Sequence, residues 1–148
     1  MAIFDALLTF STAQAVTATA VGTDKVDLSQ KRDIGEGENL YVLFTVTEAA
    51  TAAGAATVDF QVVVDDDSAL GSPIVVGTSG PIGKADLVIG KQIAVRINPQ
   101  LASKGERYLG VNYVVATGPL TAGKFSAGVV HGVQDGKKFY PSGYTVGS

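Results

Sequence analysis

The chain contains no cysteine, no tryptophan and a single histidine in 148 residues. Without cysteine there is no disulfide framework and no thiolate metal site, and the redox compartment leaves no trace. Without a second histidine or any cysteine, His131 has no soft partner for zinc. Charge is scarce as well: Asp, Glu, Lys and Arg make up 17 % of the residues, against 46 % hydrophobic. That balance excludes a disordered chain. The net charge is -3, and the few cations are scattered, with Lys137-Lys138 the densest lysine pair. A free-standing nucleic-acid binder carries a basic footprint, so no nucleic-acid partner is expected. Long apolar runs are missing too. Ala6–Thr23 is uncharged, but its Thr, Ser and Gln disqualify it as a membrane span. Phe4–Phe10 followed by Ala13-Gln14-Ala15 imitates an export signal. No Lys or Arg precedes it, however, and Asp5 interrupts it, so neither export nor a membrane anchor is expected.

What is present is alternation. In Asn39–Thr47, Leu40, Val42, Phe44 and Val46 share a face, and the opposite face is also largely apolar, which predicts a central strand. Thr57–Val64 places Val58, Phe60, Val62 and Val64 inward and Asp59 and Gln61 outward. Lys91–Ile97 turns Ile93, Val95 and Ile97 inward. Ile3–Phe10, Lys25–Leu28, Pro73–Thr78 and Leu87–Ile89 read as further strands. Ser11–Gly22 reads as extended, because its β-branched residues discourage a helix. Ala49–Ala56 reads as a small-residue loop. Glycine, proline and aspartate punctuate the chain at Asp33–Glu38, Asp65–Ser68, Gly80-Pro81, Asn98-Pro99 and Lys104-Gly105.

The longest patterned stretch is Arg107–Val130. Leu109, Val111, Tyr113 and Val115 alternate in its first half, and Phe125, Ala127 and Val129 in its second. Gly118, Pro119 and Gly123 supply turn chemistry between them. The stretch therefore predicts a long β-hairpin. Eight to ten short strands with such turns predict an all-β sandwich or barrel. By length it is a single domain spanning residues 1–134. Asp135–Ser148 is a tail with no core pattern of its own.

Each chemical motif has a plainer explanation. Gly118–Lys124 matches the opening of a phosphate-binding loop, but Phe125 stands where Ser or Thr would hold magnesium. A strand follows where a helix is required. Asp65, Asp66 and Asp67 are candidate ligands for calcium, although their spacing is not that of an EF-hand loop. A solvated turn that discourages edge pairing is the better explanation of them. His131 would need a serine such as Ser126 to build a triad, and no nucleophile elbow surrounds one. No catalytic residue and no cofactor is therefore expected, and the chain reads as a non-enzyme. Phe139, Tyr140 and Tyr144 are candidate partner contacts, because a coreless tail has little use for aromatics. Ile3 and Phe4 are candidates for edge pairing with a neighbour.

Four collinear stretches carry a resemblance. They are FDALLTFSTAQAVTATAV, RDIGEGENLYVLFTV, TAAGAATVDFQVVVDDDSALGSP and ERYLGVNYVVATGPLTAGKFSAGVV. In order and spacing they resemble the capsid cement, or head decoration, proteins of short-tailed phages related to a Bordetella phage, over about residues 3–134. The resemblance implies a jelly-roll sandwich and a homodimer bound outside the phage head, made in the host cytoplasm. It would clamp adjacent major capsid proteins against the pressure of packaged DNA. The resemblance brings no catalytic residues and does not extend to the tail. A β-sandwich binding module for a glycan or protein ligand is the alternative.

Overall fold

The computed structural model describes residues 8–28, 40–97 and 107–130. Nine strands occur among them: β1 (Thr9–Ala15), β2 (Ala20–Val21), β3 (Val26–Asp27), β4 (Tyr41–Thr51), β5 (Thr57–Asp65), β6 (Ile74–Gly83), β7 (Gln92–Arg96), β8 (Tyr108–Ala116) and β9 (Ala122–Val130). They form two antiparallel sheets. One has the order β1-β9-β4-β7 and the other β2-β8-β5-β6, with β3 also on β8. β2 and β3 pair with opposite halves of β8 and so act as one interrupted edge strand. The chain then crosses between sheets at almost every connection. This is a jelly-roll β-sandwich, as expected.

The inward faces are the alternating positions read from the sequence. Val42, Phe44 and Val46 meet Val58, Phe60, Val62 and Val64 across the sandwich, joined by Ile93, Val95, Leu109, Val111, Phe125, Ala127 and Val129 in one core. At its centre Phe60 lies 5.1 Å from Phe44, 5.8 Å from Tyr113 and 5.2 Å from Phe125, measured between ring centroids. Phe44 and Phe125 come from one sheet and Phe60 and Tyr113 from the other. The aromatic cluster therefore ties the two sheets together, with edge-to-face contacts adding about 0.5–1.5 kcal/mol each.

The predicted hairpin is corrected. β8 and β9 do not pair with each other: β8 bonds β5 and β2/β3, while β9 bonds β1 and β4. The connection is an arch between sheets, with Thr117 at φ 61° and Gly118 at φ 99° turning the chain. Two strands whose apolar faces must meet can lie side by side or face to face. Here they face, and Tyr113 stacks on Phe125 at 5.5 Å.

Other expectations shift more modestly. Among the described residues the first strand is Thr9–Ala15, which shares only Thr9 and Phe10 with the predicted Ile3–Phe10, and irregular register along β9 leaves both Phe10 and Ser11 buried. β4 runs on to Thr51, because the Ala50 amide finds the Leu87 carbonyl at 3.0 Å and Thr51 pairs with Ala122. β6 begins at Ile74 and continues through Gly80-Pro81, absorbing them in a register shift opposite Asp59/Gln61. Proline is tolerated there because β6 is an edge strand. Leu87–Ile89 is no strand. It follows a 3-10 turn over Lys84–Asp86. Ile3, Phe4, Asp33–Glu38, Asn98-Pro99, Lys104-Gly105, His131, Phe139, Tyr140 and Tyr144 lie outside the described residues.

Candidate functional site

The jelly roll sorts its connections into two ends, and their chemistry differs. The end reached by the β5–β6 connection and by β3 carries exposed charge: Asp24, Lys25, Asp27, Asp66 and Asp67. Asp65 is buried there. Its carboxylate accepts from the amides of Asp67 at 3.1 Å and Ser72 at 2.8 Å. Burial pushes this carboxyl up, but the amides of Asp67, Ser72 and Asp66 outweigh it and hold it below the ordinary aspartate range. Asp67 in turn accepts from the Ala69 amide at 2.9 Å. Two of the three aspartates proposed as calcium ligands thus shape the turn through its backbone. Among the described residues no three Asp, Glu, His or Cys side chains gather to hold a metal. The turn folds Leu70 back over the outer face of the second sheet, onto Gly110, where a Cβ would come within 2.5 Å of its Cδ1. Beside it, Arg107 donates to both Asp27 oxygens, at 2.7 and 2.8 Å, and its guanidinium lies 5.2 Å from the Tyr108 ring centre.

The opposite end is built from four connections: β1–β2 (residues 16–19), β4–β5 (52–56), β6–β7 (84–91) and β8–β9 (117–121). They are bonded to one another. The Leu120 amide donates to the Thr17 carbonyl at 2.9 Å, and that of Thr121 to the Thr51 carbonyl at 2.7 Å. Lys84 donates its amide to the Ala56 carbonyl and its ammonium to that of Ala52. Next to them the Val88–Lys91 segment makes a β-turn, closed by a 3.1 Å bond from the Lys91 amide to the Val88 carbonyl. Gly90 sits in it at φ 86°, a conformation that favours glycine. The turn is pinned along β4 by bonds from the Gly90 amide to the Val46 carbonyl and from the Val46 amide to the Lys91 carbonyl, each 2.9 Å. Leu87 is fully buried beneath it, while Val88 and Ile89 are 54 % and 71 % exposed. Alternation alone reads these two residues as part of a strand. The signal available was an apolar pair followed at once by glycine between polar neighbours.

A third feature is an open groove of about 300 Å³ on the outer face of the first sheet, lined by Thr9, Thr12, Thr45, Thr47, Ser126 and Ala127. Part of its polarity is already used, since Ser126 accepts from the Ala13 amide at 2.8 Å and Thr47 donates to the Lys124 carbonyl at 3.1 Å. The Ser126 hydroxyl is therefore tied to a neighbouring strand.

The family model for Bbp16 matches residues 10–129. The chain belongs to the Bbp16 family. The match runs from Phe10, the first core residue of β1, to Val129 near the end of β9, and so takes in every strand of the Bbp16 sandwich except the first residue of β1 and the last of β9. No curated protein matches the chain.

Proposed function

We propose that this Bbp16-family chain is a structural virion protein, a capsid cement protein seated on the outer surface of a phage head. There it clamps adjacent major capsid proteins as a homodimer, without enzymatic activity. The reading is carried by the Bbp16 match from β1 to β9, taken with the resemblance of four collinear stretches to phage cement proteins. The physical features agree with it. Cement action needs a rigid body with low desolvation cost, repeated around a shell so that weak contacts reinforce one another. A jelly roll whose connections are bonded together and nearly uncharged at one end meets that need.

The experiment is reconstitution. Heads assembled from the major capsid protein alone are mixed with the purified chain and sedimented. The chain is expected to travel with the heads and to raise the temperature at which they rupture. Purified heads from the encoding phage that lack the chain overturn the reading.

The hydroxyl-lined groove on the first sheet favours a second reading, a binding module for a glycan. Threonine side chains offer methyls to the apolar faces of a sugar beside their hydroxyls, and saturable glycan binding by the isolated chain, lost in Thr45→Val, would support it.

A further inference from the structure

We propose that the end formed by the β1–β2, β4–β5, β6–β7 and β8–β9 connections is the face that seats on the shell protein, with Val88 and Ile89 as its apolar anchor. The inference rests on the cement reading and specifies its contact surface. The first observation is the anchor. Two large β-branched side chains stand in solvent at 54 % and 71 % exposure, on a turn held to β4 by bonds on both sides. An exposed apolar pair on a loose loop would lose entropy on binding. On this turn the backbone is already ordered, so the gain from burying both side chains is retained. Rigid apolar knobs that enter a pocket are the pattern of interface hot spots.

The second observation is the make-up of the four connections; beside the turn itself, on β4 and β9, the exposed charges Glu48 and Lys124 pair with each other at 3.4 Å. Among the exposed residues of the four connections only Asp86 is charged, and the rest are Ala, Thr, Gly, Pro, Val and Ile. Lys84 is half-buried with its ammonium on the Ala52 carbonyl, and Lys91 is half-buried too. Such a surface is cheap to dehydrate, as a contact face must be. It also narrows the partner. Nucleic acid and anionic membranes are bound through exposed cations, and the exposed residues of these connections include none. The occupant that fits is a protein surface offering an apolar socket and small residues, here a subunit of the major capsid protein. The charged end, with Asp24, Asp27, Asp66 and Asp67, then faces away from it.

Four proteins test this on heads assembled from the major capsid protein alone: wild type, Val88→Ser/Ile89→Ser, Gly54→Lys and Ala69→Lys. A Cβ at Gly54 meets nothing closer than the Thr117 carbonyl at 3.8 Å, so a side chain there adds charge without a clash. Ala69 is exposed at the opposite end. All four should unfold at nearly the same temperature, which separates binding from folding. Wild type and Ala69→Lys are expected to bind equally, and the other two at least about tenfold more weakly. Wild-type binding that Val88→Ser/Ile89→Ser leaves undiminished overturns this inference and leaves the cement reading standing. A wild type that does not bind heads removes both. Self-association that the serine double variant abolishes, with head binding intact, assigns the turn to a contact between copies and overturns the inference as well.

Discussion

The Ser11 hydroxyl lies 2.6 Å from that of Tyr113, in the core between the sheets, and 3.4 Å from the Phe125 carbonyl. A chain of donation from Tyr113 to Ser11 to Phe125 satisfies both buried hydroxyls. Ser11→Ala strands the phenol and is expected to cost about 1–3 kcal/mol, whereas Tyr113→Phe leaves Ser11 its carbonyl and costs about 1 kcal/mol. The double variant should fall close to Tyr113→Phe alone, and a double-mutant cycle in urea reads the coupling. Burial pushes the Tyr113 phenol above its ordinary value of 10.0, with the Ser11 bond opposing it only in part. Its contribution to stability is therefore complete below pH 10.0 and declines as pH rises from there toward the raised value. Tyr113→Phe should flatten that alkaline decline. Asp65 has the opposite sign. Its carboxyl is held below 3.8, so its contribution is present above that pH and lost as pH falls through the lowered value. Asp65→Asn is expected to cost about 1–2 kcal/mol at neutral pH and to flatten the acid limb of the thermal midpoint.

Between elements, one tight joint is where β6 crosses β7 and the two sheets meet at one side. A Cβ on Gly77 would lie 2.6 Å from the Arg96 carbonyl oxygen and 2.9 Å from a Val95 methyl. Backbone on one side and core on the other leave no room to yield. Gly77→Ala is expected to lower stability by about 1–3 kcal/mol. Gly83→Ala, on the same strand with nothing within 4 Å, should change it by less than about 0.5 kcal/mol. Urea midpoints with an unchanged slope would separate the two. Glycines on one strand thus do different jobs, and spacing along the chain does not distinguish them. A sequence marks Gly77 as punctuation. Its closest neighbour is 19 positions away in β7.

At the scale of the molecule, every described strand contributes to one of two sheets over a shared core. Pairings such as β1 with β9 join opposite ends of the chain, so neither sheet has an independent fragment of sequence. Heat should therefore unfold the sandwich in one step, with calorimetric and van't Hoff enthalpies in agreement. Two resolved transitions would contradict a single core. The same interleaving makes the ends of the sandwich chemically distinct. Alternate connections collect at each end, and here the four whose exposed residues carry no charge but Asp86 fall together, while Asp24, Asp27, Asp66 and Asp67 fall opposite. That segregation is what turns a low overall charge into a surface suited to contact.

Which residues point inward was legible in the sequence, because a strand's period is local: Val58, Phe60, Val62 and Val64, like Ile93, Val95 and Ile97, are buried as their alternation requires. The central place of β4 was legible for the same reason, from two apolar faces. The edge strand β1 was not, since bulges and hydroxyls replace clean alternation there and Phe10 and Ser11 are buried in succession. Nor could the chain disclose that β8 and β9 face one another across the core instead of pairing. Hydrogen-bond partners are chosen by strands distant in sequence, and an arch and a hairpin both ask for glycine at the bend. The meeting of the four connections, which makes Val88 and Ile89 an anchor on a firm surface, belongs wholly to the tertiary structure. Their residues are small and unremarkable one by one, and only the crossing of the chain between sheets brings them to one end.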